Sequence, residues 1–422
     1  MIKRILLFII TVPILIYSQN INGSLSSSVY GFERFDSATE SDMNLRTFQT
    51  AALNFNSGKF SFRTRANFET NAVNPLDGDP KLRIYNLYLE YRKLFDVATI
   101  KLGRQSHING VGSGVYDGLD LKLAYSGISL SGFYGGNVPA YQKMEFTNDL
   151  KNDYILSGKL VFNNVRNLYL ALSYVDKNVK SENYYATRLD ANFNPIRVLI
   201  ERNSKQYQFV SGRATYTFDN NVGDISARYD YDLNFSTSSL FELNANYNQL
   251  EKFNFNLYYN YREPRISYNS IFSVFNYGNT QEIEGGLDYK ISPIFTVMGK
   301  FGYVTYNDDT SQRFTIGVRS NYGTFSYRKT FGYAGELDAI SVYGARSFMD
   351  GFLTPSIGLS YTGYKLSKEE PRNTLLTLLA GVNVRPWKFL SFDLQGQYLS
   401  NKIYTNDLRI FAKVNYWFNT NF

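Results

Sequence analysis

From residue 20 onward the chain has no apolar run long enough to cross a membrane as a helix, yet apolar and polar residues alternate with period two almost throughout. In 60–69, Phe60, Phe62, Thr64, Ala66 and Phe68 fall on one side of an extended chain, and Ser61, Arg63, Arg65, Asn67 and Glu69 on the other. In 282–291, Ile283, Gly285, Leu287, Tyr289 and Ile291 oppose Glu282, Glu284, Gly286, Asp288 and Lys290. Segments 44–55 and 253–262 repeat the pattern. A helix turns every 3.6 residues or so and cannot keep such a set on one face, whereas a strand with one apolar and one polar side does.

Two folds use strands of this kind. A soluble sandwich or propeller buries the apolar faces, and an outer-membrane barrel turns them to lipid. Three features favour the barrel. The alternating segments are about 10–13 residues long, which suits tilted membrane-crossing strands. Aromatics recur at segment ends, as in Tyr88/Tyr91, Tyr229/Tyr231 and Tyr416/Trp417/Phe418. With 36 Tyr, 33 Phe and 2 Trp the chain is heavily aromatic, yet its mean hydropathy is only −0.30, as expected when nearly every segment is half greasy and half wet. The expected fold is therefore all-β, an antiparallel transmembrane barrel of even strand number in one domain, 20–422. Turn residues mark short connections alternating with longer ones, giving up to 24 strands. The hairpin at 183–203, interrupted by Pro195, is the weakest, and without it the number is 22; fewer, longer strands would also satisfy the pattern. Both termini then lie on the short-turn rim, taken as periplasmic.

Residues 1–19 read as a secretory signal peptide: Lys3 and Arg4, then the mostly apolar stretch Ile5–Ile16, then Tyr17-Ser18-Gln19, with cleavage expected after Ser18 or Gln19. Removing Lys3 and Arg4 from the 44 basic residues leaves a mature charge of +5 against 37 acidic ones. Basic residues are dispersed among acidic ones, which argues against a nucleic-acid partner. The absence of Cys excludes disulfides, thiolate zinc sites and iron–sulfur clusters, and a solitary His107 makes a His-dependent catalytic triad implausible. No cofactor or metal is expected, since Asp77-Gly78-Asp79 and Asn307-Asp308-Asp309 read as turns, and the chain is not expected to be an enzyme.

The last strand carries Leu408, Ile410, Ala412, Val414, Tyr416 and Phe418 on one parity and ends at Phe422. A final strand closed by an aromatic residue resembles the assembly signal of bacterial outer-membrane proteins. That resemblance implies lipid and the barrel-assembly machinery as partners, and the outer membrane of a Gram-negative-type bacterium as the location. A second resemblance lies in 97–125, where Leu102-Gly103-Arg104-Gln105 leads into a loop with Gly110, Gly112 and Gly114 and returns through Asp117-Gly118-Leu119-Asp120. The segment is similar to one in porin-like families, the alginate-export group among them, and implies the class rather than the solute.

With apolar parity facing lipid, the other parity lines a lumen. The pore-lining candidates are Arg46, Arg63, Arg65, Arg104, Arg228, Asp230, Asp232, Glu242, Glu282, Glu284, Asp288, Arg313, Arg319 and Arg328. Acidic members concentrate between 230 and 288, so opposed walls of unlike charge would set up a transverse field. The alternative is pairing between neighbouring strands that merely keeps the interior wet. Arg104 has its own alternative, an ion pair with Asp117 or Asp120 that ties down the loop. In the longest loop, 263–280, Ile271, Phe272, Val274 and Phe275 form an apolar cluster that either folds inward as a constriction or extends two strands. The expected function is a passive porin-like channel for polar or anionic small solutes, oligosaccharides among them. The competing expectation is a non-conducting barrel acting as scaffold, adhesin or partner of an export machine.

Overall fold

In a computed structural model, the described residues are 19–422 without 36–39, 74, 76–77, 110–111, 139–148, 181–183, 190–192, 201–205, 249, 269–277, 307–308, 333–337, 366, 368 and 403–405. Of the expected signal peptide, 1–19, only Gln19 is among them. Strands β1 (Gln19–Phe35) to β24 (Asp407–Asn421) follow one another along the chain, and 22 of them form one sheet in which each pairs antiparallel with its neighbours. The sheet closes where β1 pairs with β24, from Asn20 opposite Asn421 to Phe32 opposite Arg409. Main-chain bonds between Gln19 and Phe422 (Phe422 N–H to Gln19 O, 2.9 Å) finish the seam.

The two strands outside the ring are β10 (Tyr184–Leu189) and β11 (Pro195–Ile200), which pair only with each other. Their neighbours β9 (Leu168–Asn178) and β12 (Tyr207–Thr217) pair directly, Lys177 opposite Tyr207, so the hairpin belongs to a loop. Pro195 sits on the first residue of its strand, the position a residue without an N–H donor tolerates. Short turns share one rim with the chain ends. A compact example joins β6 (Gly112–Tyr125) to β7 (Ile128–Asn137) through Ser126 and Gly127, both left-handed (φ 46° and 79°) as a two-residue hairpin demands. The longer connections lie on the opposite rim, together with the two-residue links 110–111 and 307–308.

Polarity is inside out. Among the described residues the buried hydrophobics are only Ala98, Tyr116, Phe133, Ile155, Val175 and Phe209, whereas dozens of large apolar side chains are exposed, up to 85% at Phe95. A water-soluble sandwich or propeller would have buried them, so the barrel is the architecture that fits. Near the short-turn rim the outward aromatics make a chain of contacts: Trp387 to Phe389 at 5.8 Å, Phe389 to Tyr416 at 6.0 Å, Tyr416 to Phe418 at 6.2 Å between ring centres. Two expected girdle members differ. Tyr88 is opposite Arg63 and Trp417 opposite Ser24, so both share the inner parity, because adjacent residues of a strand necessarily face opposite sides.

This sorting gives a test on β22 (Asn373–Trp387), where Leu378 faces outward and Thr377 inward. Leu378→Arg is expected to cost roughly 2–4 kcal/mol in denaturant unfolding from lipid vesicles, as a cation placed near the bilayer midplane does. Thr377→Arg is expected to change stability by less than about 1 kcal/mol. Equal losses at both positions would contradict the assigned faces.

Candidate functional site

Antiparallel partners opposite one another point to the same side, so the register places each candidate. Arg46 is opposite Asn71, Arg63 opposite Asn54, Arg65 opposite Ala52, and all lie on the side away from the exposed Phe60 and Phe68. On β13 (Gly223–Asp232), Arg228, Asp230 and Asp232 alternate with the outward Ile225 and Tyr229, and Arg228 is opposite Glu242. Glu282, Glu284 and Asp288 alternate with the outward Ile283 and Leu287 on β16 (Thr280–Lys290). Arg313, Arg319 and Arg328 continue the inward rows through β18 (Asp309–Ser320) and β19 (Gly323–Gly332).

Arg104 is the exception. It follows Gly103, which is opposite the inward Tyr88, and shares parity with Leu102, which is 59% exposed. Its guanidinium instead grips Asp117 with two bonds of 2.8 Å, Nε to Oδ1 and Nη2 to Oδ2. Both side chains are nearly buried, at 5% and 7% exposure. The pairing ties β5 (Ala98–Asn109) to β6, which is the loop-tethering role rather than a place on the lumen wall.

Inside, charges meet in local networks. Glu69, only 5% exposed, accepts from Arg46 at 3.0 Å and from Arg83 at 2.8 Å. Glu90 pairs with Arg63 at 3.5 Å. Glu284 binds Lys300 (3.2 Å) and Arg313 (2.6 Å), and Arg313 also reaches Glu282. Carboxylates and cations that a linear reading puts on opposed walls are therefore joined within two strands, as partial burial demands of charges in a low-dielectric wall. What remains open to the lumen is basic more often than acidic: among the described residues Arg65, Lys101, Lys122, Lys159, Arg213, Arg319, Arg328 and Lys413 face inward without an ion-pair partner. Asp120, Asp224, Asp232, Glu242, Asp288 and Asp393 are inward carboxylates in the same condition.

A loop residue absent from the candidates completes one network. Asp230 has no exposed surface; it accepts from Ser211, from Arg228 (2.6 Å) and from Arg265 (2.5 Å). Arg265 lies between β15 (Phe253–Arg262) and β16, and its guanidinium also stands 5.5 Å from the centre of the inward Phe209 ring. The burial of Arg265 pulls its guanidinium below the ordinary arginine range, with Asp230 opposing that shift. Tyr268 N–H donates to Gln206 O at 3.1 Å, and its ring meets Phe235 at 5.1 Å. The described part of the loop, Glu263 to Tyr268, is thus anchored on the inner side of β12–β13, while Ile271, Phe272, Val274 and Phe275 lie outside the described residues. No periodicity marks Arg265; its signal was only a cation within a long loop.

His107 also finds a distant partner: Nε2 lies 2.8 Å from Ser157 Oγ, and the ring stacks on Phe133 at 4.7 Å. Ser157 is buried beside Phe133 in a small packed cluster with Tyr116, Ile155 and Val175, so its hydroxyl anchors the imidazole and presents no approach for a substrate. Ser106, adjacent in sequence, bonds to Asn86 instead.

No protein-family model matches the chain, the alginate-export type included, and no curated protein matches it. Among solved structures it is similar to the P pilus usher (PapC) translocation pore, with 10% identity, TM-score 0.48, and coverage of 94% of this chain and 99% of that one. It is also similar to OccAB3 of Acinetobacter baumannii (12% identity, TM-score 0.46, 95% and 99% covered). A BenF-like porin from Pseudomonas fluorescens Pf-5 gives 10% identity and TM-score 0.45, with 95% and 99% covered.

Two substitutions separate the roles. Arg104→Ala leaves Asp117 buried without its cation and is expected to cost about 3–5 kcal/mol in unfolding. Arg265→Ala is expected to speed exchange of the Tyr268 amide by roughly ten- to a hundredfold in hydrogen–deuterium exchange, the loss of a charge-assisted bond, with the amides of β13 unchanged. Unchanged Tyr268 exchange would show that Arg265 does not hold the loop.

Proposed function

We propose that the chain, after removal of its leader, is an outer-membrane channel for passive diffusion of small polar solutes with a preference for anions. The observation that carries this reading is a closed ring with a polar, charged inner wall and an apolar outer one. A ring of 22 strands spaced about 4.8 Å apart and tilted about 40° would be about 40 Å across if circular, too wide for wall side chains to close alone. Water therefore fills whatever the loops leave open, and the unpaired inward cations bias that water toward anions. Among the described residues His107 is held by the buried Ser157 within a packed cluster. The terminal strand ending at Phe422 fits a substrate of the barrel-assembly machinery.

Purified, refolded barrel in planar bilayers is expected to give stepwise conductance with a reversal potential on the anion side. Replacing Arg213 and Arg328 together by Glu is expected to move that potential toward cations, while Arg104→Gln leaves the selectivity of folded channels unchanged. Absence of conductance from correctly folded protein would favour the non-conducting scaffold, adhesin or export-partner reading instead. Cation selectivity of the unmodified channel would remove the anion preference alone.

A further inference from the structure

Two asparagine ladders line the inner wall, and they differ in one respect. The first runs across the seam: Asn20 Nδ2 donates to Asn419 and Asn421 (both 2.6 Å), Asn22 to Asn20 (2.5 Å), and Asn54 to Asn22 (3.0 Å). Its amides satisfy one another. The second lies on β14 (Thr237–Tyr247), β15 and β16, where Asn246 is opposite Asn256, Asn256 opposite Gly286, and Asn254 opposite Asp288. Asn244 and Asn246 bond to Glu242 (3.0 Å) and Asp224 (3.3 Å), but Asn254 and Asn256 make no side-chain hydrogen bond among the described residues. Asn254 Oδ1 is a buried acceptor with no partner.

These amides border a recess of about 400 Å³ near the short-turn rim, together with Tyr258, Asp288, Arg319 and the ion-paired Glu284 and Lys300. Gly286 makes room for one of the amides: that of Asn256 lies over it, where a Cβ would collide with that side chain. The volume falls within the ~300–1,000 Å³ of small-molecule sites. Free charges of both signs border the recess, Asp288 and Arg319 being two strands apart, so an ion of either sign meets repulsion as well as attraction. Amides, a carboxylate and a guanidinium together present donors and acceptors at once. A hydroxyl is both donor and acceptor, and vicinal hydroxyls suit planar amide and carboxylate groups that offer two atoms side by side.

We infer that this recess is a binding site for a neutral, polyhydroxylated solute, a short saccharide, placed on the path through the barrel. The inference rests on the channel reading and names a solute class for it. Maltotriose serves as probe and glycylglycine as the zwitterionic comparison. In planar bilayers, millimolar maltotriose is expected to block current reversibly. Replacing Asn254 and Asn256 together by Ala, or Asp288 by Asn, raises the half-blocking concentration about tenfold, the loss of one to two hydrogen bonds. Replacing Asn22 and Asn54 by Ala leaves it unchanged. Equal block in all variants, or none, overturns the site. Block by glycylglycine but not maltotriose, lost in Asp288→Asn, assigns the recess to zwitterions and also overturns it. If the protein does not conduct, calorimetric titration of the detergent-solubilised barrel with maltotriose separates the two readings. Heat that disappears in the Asn254/Asn256 variant keeps the saccharide site while the channel reading falls; no heat removes both.

Discussion

A strand set in hydrocarbon has nowhere to place an unpaired amide, and that constraint organises this molecule. Each exposed sheet edge would leave a row of backbone donors and acceptors costing several kcal/mol apiece in lipid. Pairing β1 with β24 over thirteen residue pairs, Asn20–Phe32 against Arg409–Asn421, removes the edge altogether. Antiparallel closure requires an even strand number, and an even number returns both chain ends to one rim. The short turns and the longer connections segregate as a consequence. The hairpin of β10 and β11 shows the same rule from outside: its ladder ends after six residue pairs and its first strand residue on one side is a proline, so it joins neither β9 nor β12.

Once the ring is closed, each side chain has only two environments, and charge placement follows from their dielectric difference. The outer environment admits almost no charge at depth, so nearly all ionisable groups of the strands crowd onto the inner wall. There they are partly desolvated, and Coulomb attraction between neighbours outweighs separation across the lumen. Glu69 with two arginines, Asp230 with two, and Glu284 with Lys300 and Arg313 are results of that balance. The field a solute meets is set by the remainder, such as Arg328 and Lys413, rather than by the total charge of each wall. Arg104 and Asp117, on the other parity, avoid the cost of a lipid-facing charge only because they are buried and doubly bonded to each other.

Alternation made the fold and the two faces legible from residues alone, because a strand has just two sides and one apolar neighbour settles which is which. By the same rule the register sets Arg46, Asp230 and Arg328 on the side away from the exposed apolar residues. For Arg104 two roles stood side by side, a place at the lumen and an ion pair with Asp117 or Asp120; the pair with Asp117 is the one present, and Leu102 two residues earlier marks the outward side. Pairing partners were less legible. That Arg313 reaches Glu282 and Glu284 depends on stagger between β16 and β18, which no local pattern encodes. Arg265 and the contact between His107 and Ser157 were invisible for the same reason: they join segments 35 and 50 residues apart that only the closed ring brings together.

The inner wall also shows why neutral amides accompany the charges. A wall of ions alone would be neutralised pair by pair and leave few groups free to exchange hydrogen bonds with a passing solute. Asparagine carries a donor and an acceptor without a net charge, so it can stand beside Glu284 or Arg319 without being captured by an ion pair. At the seam the amides are close enough to satisfy each other, and that ladder reinforces β24, β1 and β2 where the ring closes. Between β14 and β16 the residue opposite Asn256 is a glycine, which offers no amide in return, and the Oδ1 of Asn254 is left with unused capacity. One residue type therefore serves closure at one place and recognition at another, and the difference lies in whether a neighbouring amide occupies the partner's place.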